Sequence, residues 1–363
     1  MRLGVAAAIV DGILVVGDVD VDEGRVAAAG LSSRGGTGIA VPGFVDLQVN
    51  GFGGVDFADA DAAAYTRAGE ALLATGVTAY QPTLITAAEH QLVAAIREVD
   101  GAPSRPRVIG VHLEGPFISP LCLGAHPAAD RRDPDPALAE RLLDAGPVSE
   151  MTLAPELPGA LELIDLLHAR GVVVSFGHSN ATAAEAARGF DRGVATVTHL
   201  FNAMRPWHHR DPGIAGCALA REDVTVQVIL DGVHLADETA RTVWLAAAGR
   251  TALVTDAMSA AGAGDGTYTL GGAVVEVRDG VAARSDGVLA GTALTMIEAV
   301  RNLHGLGVPL LEAVAAATSV PAGIARQPEL GVLHPGGPAD LVVLDDRLEI
   351  RSVLVAGREC IAA

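Results

Sequence analysis

Eight short runs of apolar and β-branched residues alternate with alanine-rich stretches of helical character, at 44–49, 77–81, 107–113, 151–154, 172–176, 194–198, 224–230 and 251–255. A strand covered on both faces reads as an unbroken apolar run, so the alternation describes a parallel sheet wrapped by helices. Eight βα units fit an α/β fold of the TIM-like (β/α)8 barrel type, with a doubly wound open sheet as the main competitor. The 363 residues, half of them hydrophobic, suffice for a barrel core and a smaller second unit.

That second unit is expected from the chain ends. Residues 1–42 read as short strands joined by Gly and Asp turns, as at Val10-Asp11-Gly12-Ile13, and the same texture returns over 328–363. The two ends are expected to pair into one small β-sandwich domain, with the barrel over 43–327 and an inserted β meander at about 266–290.

Composition removes several function classes. The formal charge of −19 and pI near 4.8 repel nucleic acid and anionic membrane, so neither is expected as a partner, and an anionic substrate would need its own basic contacts. No run is long enough to span a bilayer. The apolar run after Arg2 is broken by Asp11-Gly12, which reads as mature structure and not a signal peptide. Three widely spaced cysteines, Cys122, Cys217 and Cys360, fit a reducing compartment, the cytoplasm by default. The chain contains no lysine, so Schiff-base chemistry, a carbamylated-lysine metal bridge and a P-loop are all excluded.

Four of the strand-like segments end in a residue that can bind metal or move a proton. They are Val108 to Glu114, Val172 to His178, Val194 to His199 and Ala252 to Asp256. The C-terminal ends of barrel strands share one face, where such barrels do their chemistry. Two imidazoles and a carboxylate with an open position are a common catalytic set for zinc or a similar divalent ion. Glu114, His178 and His199 are therefore the candidate metal ligands, against the plainer reading of each as a hydrogen-bonding strand cap. Asp256 can take a proton from water and pass it to a leaving amine, although Thr255-Asp256-Ala257 could also begin a helix.

Polar loops follow the same strand ends. Arg210 and His234 could supply the basic contacts for a phosphate or carboxylate, while His208 and His209 read as solvated loop residues. Cys122 lies in a Pro- and Gly-punctuated loop, 119–124, that could cover the site; without a base at a diagnostic spacing it reads as a loop thiol.

Pro42-Gly43-Phe44-Val45-Asp46, His112-Leu113-Glu114-Gly115-Pro116-Phe117, Gly177-His178-Ser179-Asn180-Ala181, Thr198 to Met204, Asp231-Gly232-Val233-His234, Thr255-Asp256-Ala257 and Leu289 to Leu294 occur in order along nearly the whole chain. Together they resemble the N-acetylglucosamine-6-phosphate deacetylase family of the amidohydrolase superfamily. The resemblance implies hydrolysis of N-acetylglucosamine 6-phosphate to glucosamine 6-phosphate and acetate, in amino-sugar catabolism and cell-wall sugar recycling. It assigns the metal to Glu114, His178 and His199, the proton shuttle to Asp256 and polarisation of the acetamide carbonyl to His126. It also places Ala125, His126, Asn202, Ala203, Arg210, His234 and the segment Leu289, Ala290, Gly291 against sugar and phosphate. It implies one divalent metal per subunit, zinc first, with iron, manganese, cobalt or cadmium as alternatives. A homodimer is implied as well, in which Arg210 can come from the neighbouring subunit.

Where many amidohydrolases carry a His-x-His pair after the first strand, this chain has Gln48-Val49-Asn50. Amides are poor metal ligands, so one tight metal is expected, with a weak second site left open. Two rival readings remain at this stage: an amidohydrolase acting on N-acyl amino acids or cyclic amides, and a metal-free non-catalytic scaffold.

Overall fold

The computed structural model describes residues 1–32, 35–99, 101–102 and 105–362. Its centre is a parallel barrel of eight strands: β1 (Phe44–Val49), β2 (Val77–Ile85), β3 (Val111–Glu114), β4 (Val148–Leu153), β5 (Val173–Phe176), β6 (Thr196–Val197), β7 (Thr225–Val228) and β8 (Thr251–Leu253). Each strand pairs in parallel with the next in sequence, from β1–β2 through to β7–β8. Closure between the ends comes from the Val49–Ala257 bridge, where the Asn50 N–H donates to the Ala257 carbonyl at 2.7 Å. The open-sheet alternative is thereby excluded.

A helix follows every strand: α1 (Ala62–Ala74), α2 (Glu89–Val99), α3 (Pro136–Leu143), α4 (Ala160–Ala169), α5 (Ala183–Phe190), α6 (Gly213–Leu219), α7 (Asp237–Ala247) and α8 (Met296–Gly305). Local sequence starts several of them. Asp61 accepts from the Ala64 N–H at 2.7 Å, Asp135 caps α3 ahead of Pro136, and Thr182 with Glu185 forms a reciprocal capping box on α5.

Only β1 has the expected limits, and two of the other departures have a clear local cause. The second strand runs on to Ile85, because the ladder to β3 resumes at Thr83–His112 after Pro82 forgoes its donor. The run 107–113 is split into Arg107–Val108 and β3 by Gly110 at φ +111, where an added Cβ would stand 2.1 Å from Ser149 Oγ.

The barrel interior is polar where branched aliphatic layers are usual. Glu150 on β4 accepts from Gln227 Nε2 on β7 at 3.0 Å, through the barrel interior. One layer nearer the C-terminal face, His112 Nε2 lies 2.7 Å from Thr152 Oγ1, which lies 2.7 Å from Thr198 Oγ1. Burial pushes His112 down to about 4 and Glu150 up to about 7, so both sit in the interior in neutral form near pH 6.

The two chain ends form one β unit. A six-stranded sheet runs in the order Ile13–Val16, Ala7–Val10, Ile39–Pro42, Leu341–Leu344, Ile350–Val355, Arg358–Ala362, so the segment before β1 joins both ends. Asp18–Asp22 pairs with Arg25–Leu31 as a ribbon, and Val19, Val26, Leu341 and Leu354 belong to a small core of this unit. The first hairpin turns on Asp11 and Gly12 at φ +50 and +71, the left-handed pair that a two-residue turn needs. Three antiparallel strands, Gly266–Leu270, Ala273–Arg278 and Val281–Ala283, form the inserted meander, which packs on Ile85 and Met258.

Candidate active site

Glu114 closes β3, His178 and His199 follow β5 and β6 by two residues, and Asp256 follows β8 by three. The last three adopt φ of +47, +27 and +49, a left-handed conformation that costs a non-glycine residue about 1–3 kcal/mol. Backbone bonds hold the bends in place: Ser119 N–H donates to the His178 carbonyl at 2.8 Å, and Thr292 N–H to the Asp256 carbonyl at 2.9 Å. The bends turn side chains from the sheet walls into the mouth of the barrel.

There, Glu114 Oε1 lies 3.0 Å from His178 Nε2 and 2.8 Å from His199 Nε2, and the two nitrogens are 3.2 Å apart. Ligands about 2.1 Å from a tetrahedral ion stand about 3.4 Å from one another, close to this triangle. His178 Nδ1 is 2.9 Å from the Cys122 carbonyl, which can only accept, so Nδ1 keeps its proton and Nε2 is the atom that would turn a lone pair to an ion in the triangle. Gly124, at φ +56, lets this loop approach; an added Cβ would lie 3.3 Å from His178 Cε1. Burial alone would raise the Glu114 carboxyl, but its contacts with His178, His126 and His199 hold it well below the usual carboxylate range. The carboxylate and two aligned imidazoles form a donor set suited to a divalent cation, the cluster found among the described residues.

His126 Nε2 faces Glu114 Oε2 at 3.4 Å. Its Nδ1 accepts from the Thr86 N–H at 3.3 Å and lies 2.9 Å from Thr86 Oγ1. Burial pushes this imidazole down to about 4, so it is neutral, and the Thr86 contact places its one proton on Nε2, toward the site. Asp256 is pushed up to about 6 by burial and by the Glu114 charge, and its Oδ1 accepts from Asn50 Nδ2 at 2.7 Å. Gln48 Nε2 donates to Glu114 Oε1 at 3.0 Å. His234 is anchored by Asp231, whose Oδ2 takes a 2.7 Å bond from Nδ1.

These groups surround a cavity of about 270 Å³ that also takes in Ala125, Asn202, Ala203, Leu289 and Gly291. Ala290 is buried in the meander core and does not line it. Arg210 stands on an exposed loop outside the lining, bonded to His209 Nε2 at 2.8 Å; His208 and His209 are exposed, as expected. Burial pushes the Cys122 thiol up to about 11, which suits an inert thiol. Sequence reasoning missed the supporting contacts of Thr86 and the Cys122 carbonyl. A hydrogen bond between loops of different βα units leaves no local pattern. For Gln48 and Asn50 the signal was present, since both occupy the place of the usual His pair.

The amidohydrolase family model matches residues 39–360. N-acetylglucosamine-6-phosphate deacetylase of Bos taurus is 39% identical over 338 residues, covering 88% of this chain and 82% of the bovine one. The protein of that name from Lysinibacillus sphaericus is 33% identical over 359 residues, covering 94% and 92%. Among solved structures, an N-acetyl-D-glucosamine-6-phosphate deacetylase mutant from Mycobacterium smegmatis in complex with N-acetyl-D-glucosamine-6-phosphate superposes with a TM-score of 0.94 at 36% identity, covering 100% of this chain and 99% of that one. The Thermotoga maritima deacetylase gives 0.92 at 33% identity, covering both chains in full.

Proposed function

Since the chain belongs to the N-acetylglucosamine-6-phosphate deacetylases of the amidohydrolase family, we infer that it hydrolyses the acetamide of N-acetylglucosamine 6-phosphate, releasing glucosamine 6-phosphate and acetate. The observation that carries the reading is the convergence of Glu114, His178 and His199 beside Asp256 in one buried cavity, in a chain similar to these deacetylases over most of its length.

Glu114, His178 and His199 would hold one divalent ion, and we propose zinc for a site of two imidazoles and a carboxylate. When bound, such an ion supplies Lewis acidity toward water and toward charge building on the acyl oxygen. Asp256 is proposed to accept the proton of the attacking water as the new C–O bond forms. With Oδ1 held by Asn50, Oδ2 is the oxygen without a protein donor among the described residues. His126, neutral with its proton on Nε2, would donate to the acyl oxygen as that atom gains charge. Asp256 then returns the proton to the sugar nitrogen as the C–N bond breaks. Asn202, Ala203, His234, Leu289 and Gly291 are proposed to seat the sugar phosphate. A weak second ion is proposed beside Gln48 Oε1 and Asn50 Oδ1, buried oxygens that lack a protein partner.

Arg210 is proposed to reach the phosphate of a neighbouring subunit's site in a homodimer. In support, it lies outside its own cavity lining, and Trp207 on the same loop is 47% exposed. A cytoplasmic location is proposed on the three unpaired cysteines; among the described residues no helix is long and apolar enough to cross a membrane. Acetate release from N-acetylglucosamine 6-phosphate, measured beside a panel of N-acetyl amino acids and cyclic amides, tests the substrate. A preference of several hundredfold for the sugar phosphate is expected, and comparable rates on the panel would overturn it.

A further inference from the structure

We propose that Ile85 and Leu270, held together by the tip of the inserted meander, form the wall that limits the length of the acyl group. The inference rests on the deacetylase reading and adds a specificity element to the same site.

The cavity has two unlike sides. Asn202 and His234 stand on the loops after β6 and β7, and they offer polar contacts to a sugar phosphate. Ile85 and Leu270 line the cavity with apolar side chains, Ile85 from the end of β2, which stands opposite β6 in the eight-stranded order, and Leu270 from the meander. The acyl chain is the apolar part of the substrate at its reacting end, so it belongs on that side.

Position in the fold agrees. Ile85 is the last residue of β2 and the ladder partner of Glu114. Thr86, the next residue, holds His126. Ile85 therefore stands beside Glu114, assigned to the ion, and next to the residue that holds His126, assigned to the acyl oxygen, so a chain leaving that carbonyl meets it first. Leu270 ends the first meander strand at a two-residue turn, Gly271-Gly272. Gly271 is at φ +56, and an added Cβ would lie 2.5 Å from Ile85 Cδ1. The hairpin tip is thus seated on Ile85 with no room between them.

The wall also has no slack behind it. Ile85 and Leu270 are 7% and 5% exposed, and they pack in one cluster with Met258, Ala260, Val275 and Ala290. Ala125, the neighbour of His126, packs against the same cluster. A longer acyl chain would have to move the meander off the barrel mouth. One extra methylene against such a wall costs about 10- to 200-fold in kcat/KM.

The test measures kcat/KM for the N-acetyl, N-propionyl and N-butyryl forms of glucosamine 6-phosphate with the metal-loaded enzyme. The native enzyme is expected to favour acetyl over propionyl by at least about 10-fold. Leu270→Ala should narrow that ratio by about 5-fold or more, and Ile85→Val should narrow it less but in the same direction. Thermal melting and metal content establish that each variant is folded. If both folded variants keep the native ratio, or lose activity equally on all three substrates, the wall is not there. A native enzyme that releases no acetate from N-acetylglucosamine 6-phosphate would overturn the deacetylase reading itself, an outcome distinct from an unmoved ratio.

Discussion

At the residue scale the site depends on a few groups held in costly states: three residues with left-handed backbone, a neutral buried imidazole and a carboxyl raised to about 6. Replacing His178 or His199 by Ala should remove bound metal and activity together, because each is assigned one of three protein ligands. Metal analysis of the folded variant checks this; stoichiometric metal in either would dismiss the ligand set. Asp256→Asn should keep fold and metal while lowering kcat by about 10² or more, the scale for losing a general acid–base. The pH profile carries a finer prediction. Asp256 must be ionised to accept a proton, so kcat/KM should fall as pH drops through about 6. The Asn50 bond favours the ionised form. Asn50→Ala should therefore raise the pKa and move the acid limb to higher pH by roughly one unit, about 1.4 kcal/mol. A limb that stays in place would separate Asn50 from the proton shuttle.

Elements turn these residues inward, and their legibility was uneven. Glu114, His178, His199 and Asp256 could be read because an apolar run announces a strand and its first polar residue announces the mouth. The bends at His178, His199 and Asp256 could not be read, since nothing local marks a non-glycine residue for positive φ. The polar interior was equally hidden. Gln81, Glu150 and Gln227 are single polar residues in apolar runs, and only closure of the barrel brings Gln227 to Glu150. That interior has a measurable consequence. An unfolded Glu ionises near pH 4.3, whereas burial holds Glu150 protonated until about 7. Its contribution to stability is complete below about pH 4 and is lost as pH rises to about 7, where the folded state must bury a charge or give up a proton. Denaturant unfolding of Glu150→Gln against native protein should show the variant losing less stability between pH 4.5 and 7. Parallel pH profiles for the two proteins would show that Glu150 is ionised throughout.

For the whole molecule, alternation and turn chemistry made the eight βα units and the joining of the two chain ends legible, while the choice between a closed barrel and an open sheet rested on the Val49–Ala257 bridge. The placement of Arg210 was not legible. Arg210 is exposed and lies outside the lining of its own cavity, which supports the proposal that it serves a neighbouring subunit's site. Mixing Arg210→Ala with Asp256→Asn subunits should then restore activity, because half of the sites in the heterodimer hold both residues. No recovery despite proven subunit exchange would leave Arg210 acting within its own chain. The net charge of −19 adds to the need for such a contact, since the overall field opposes a phosphate dianion. The central claim, a deacetylase whose chemistry depends on the triangle of Glu114, His178 and His199, is tested most directly by metal titration. Chelator-treated protein is supplied with increasing zinc while acetate release from N-acetylglucosamine 6-phosphate is followed. Activity should be absent at first and rise in proportion to bound metal up to one equivalent per chain. Full turnover by the metal-free protein, or none by the fully loaded one, would contradict the account.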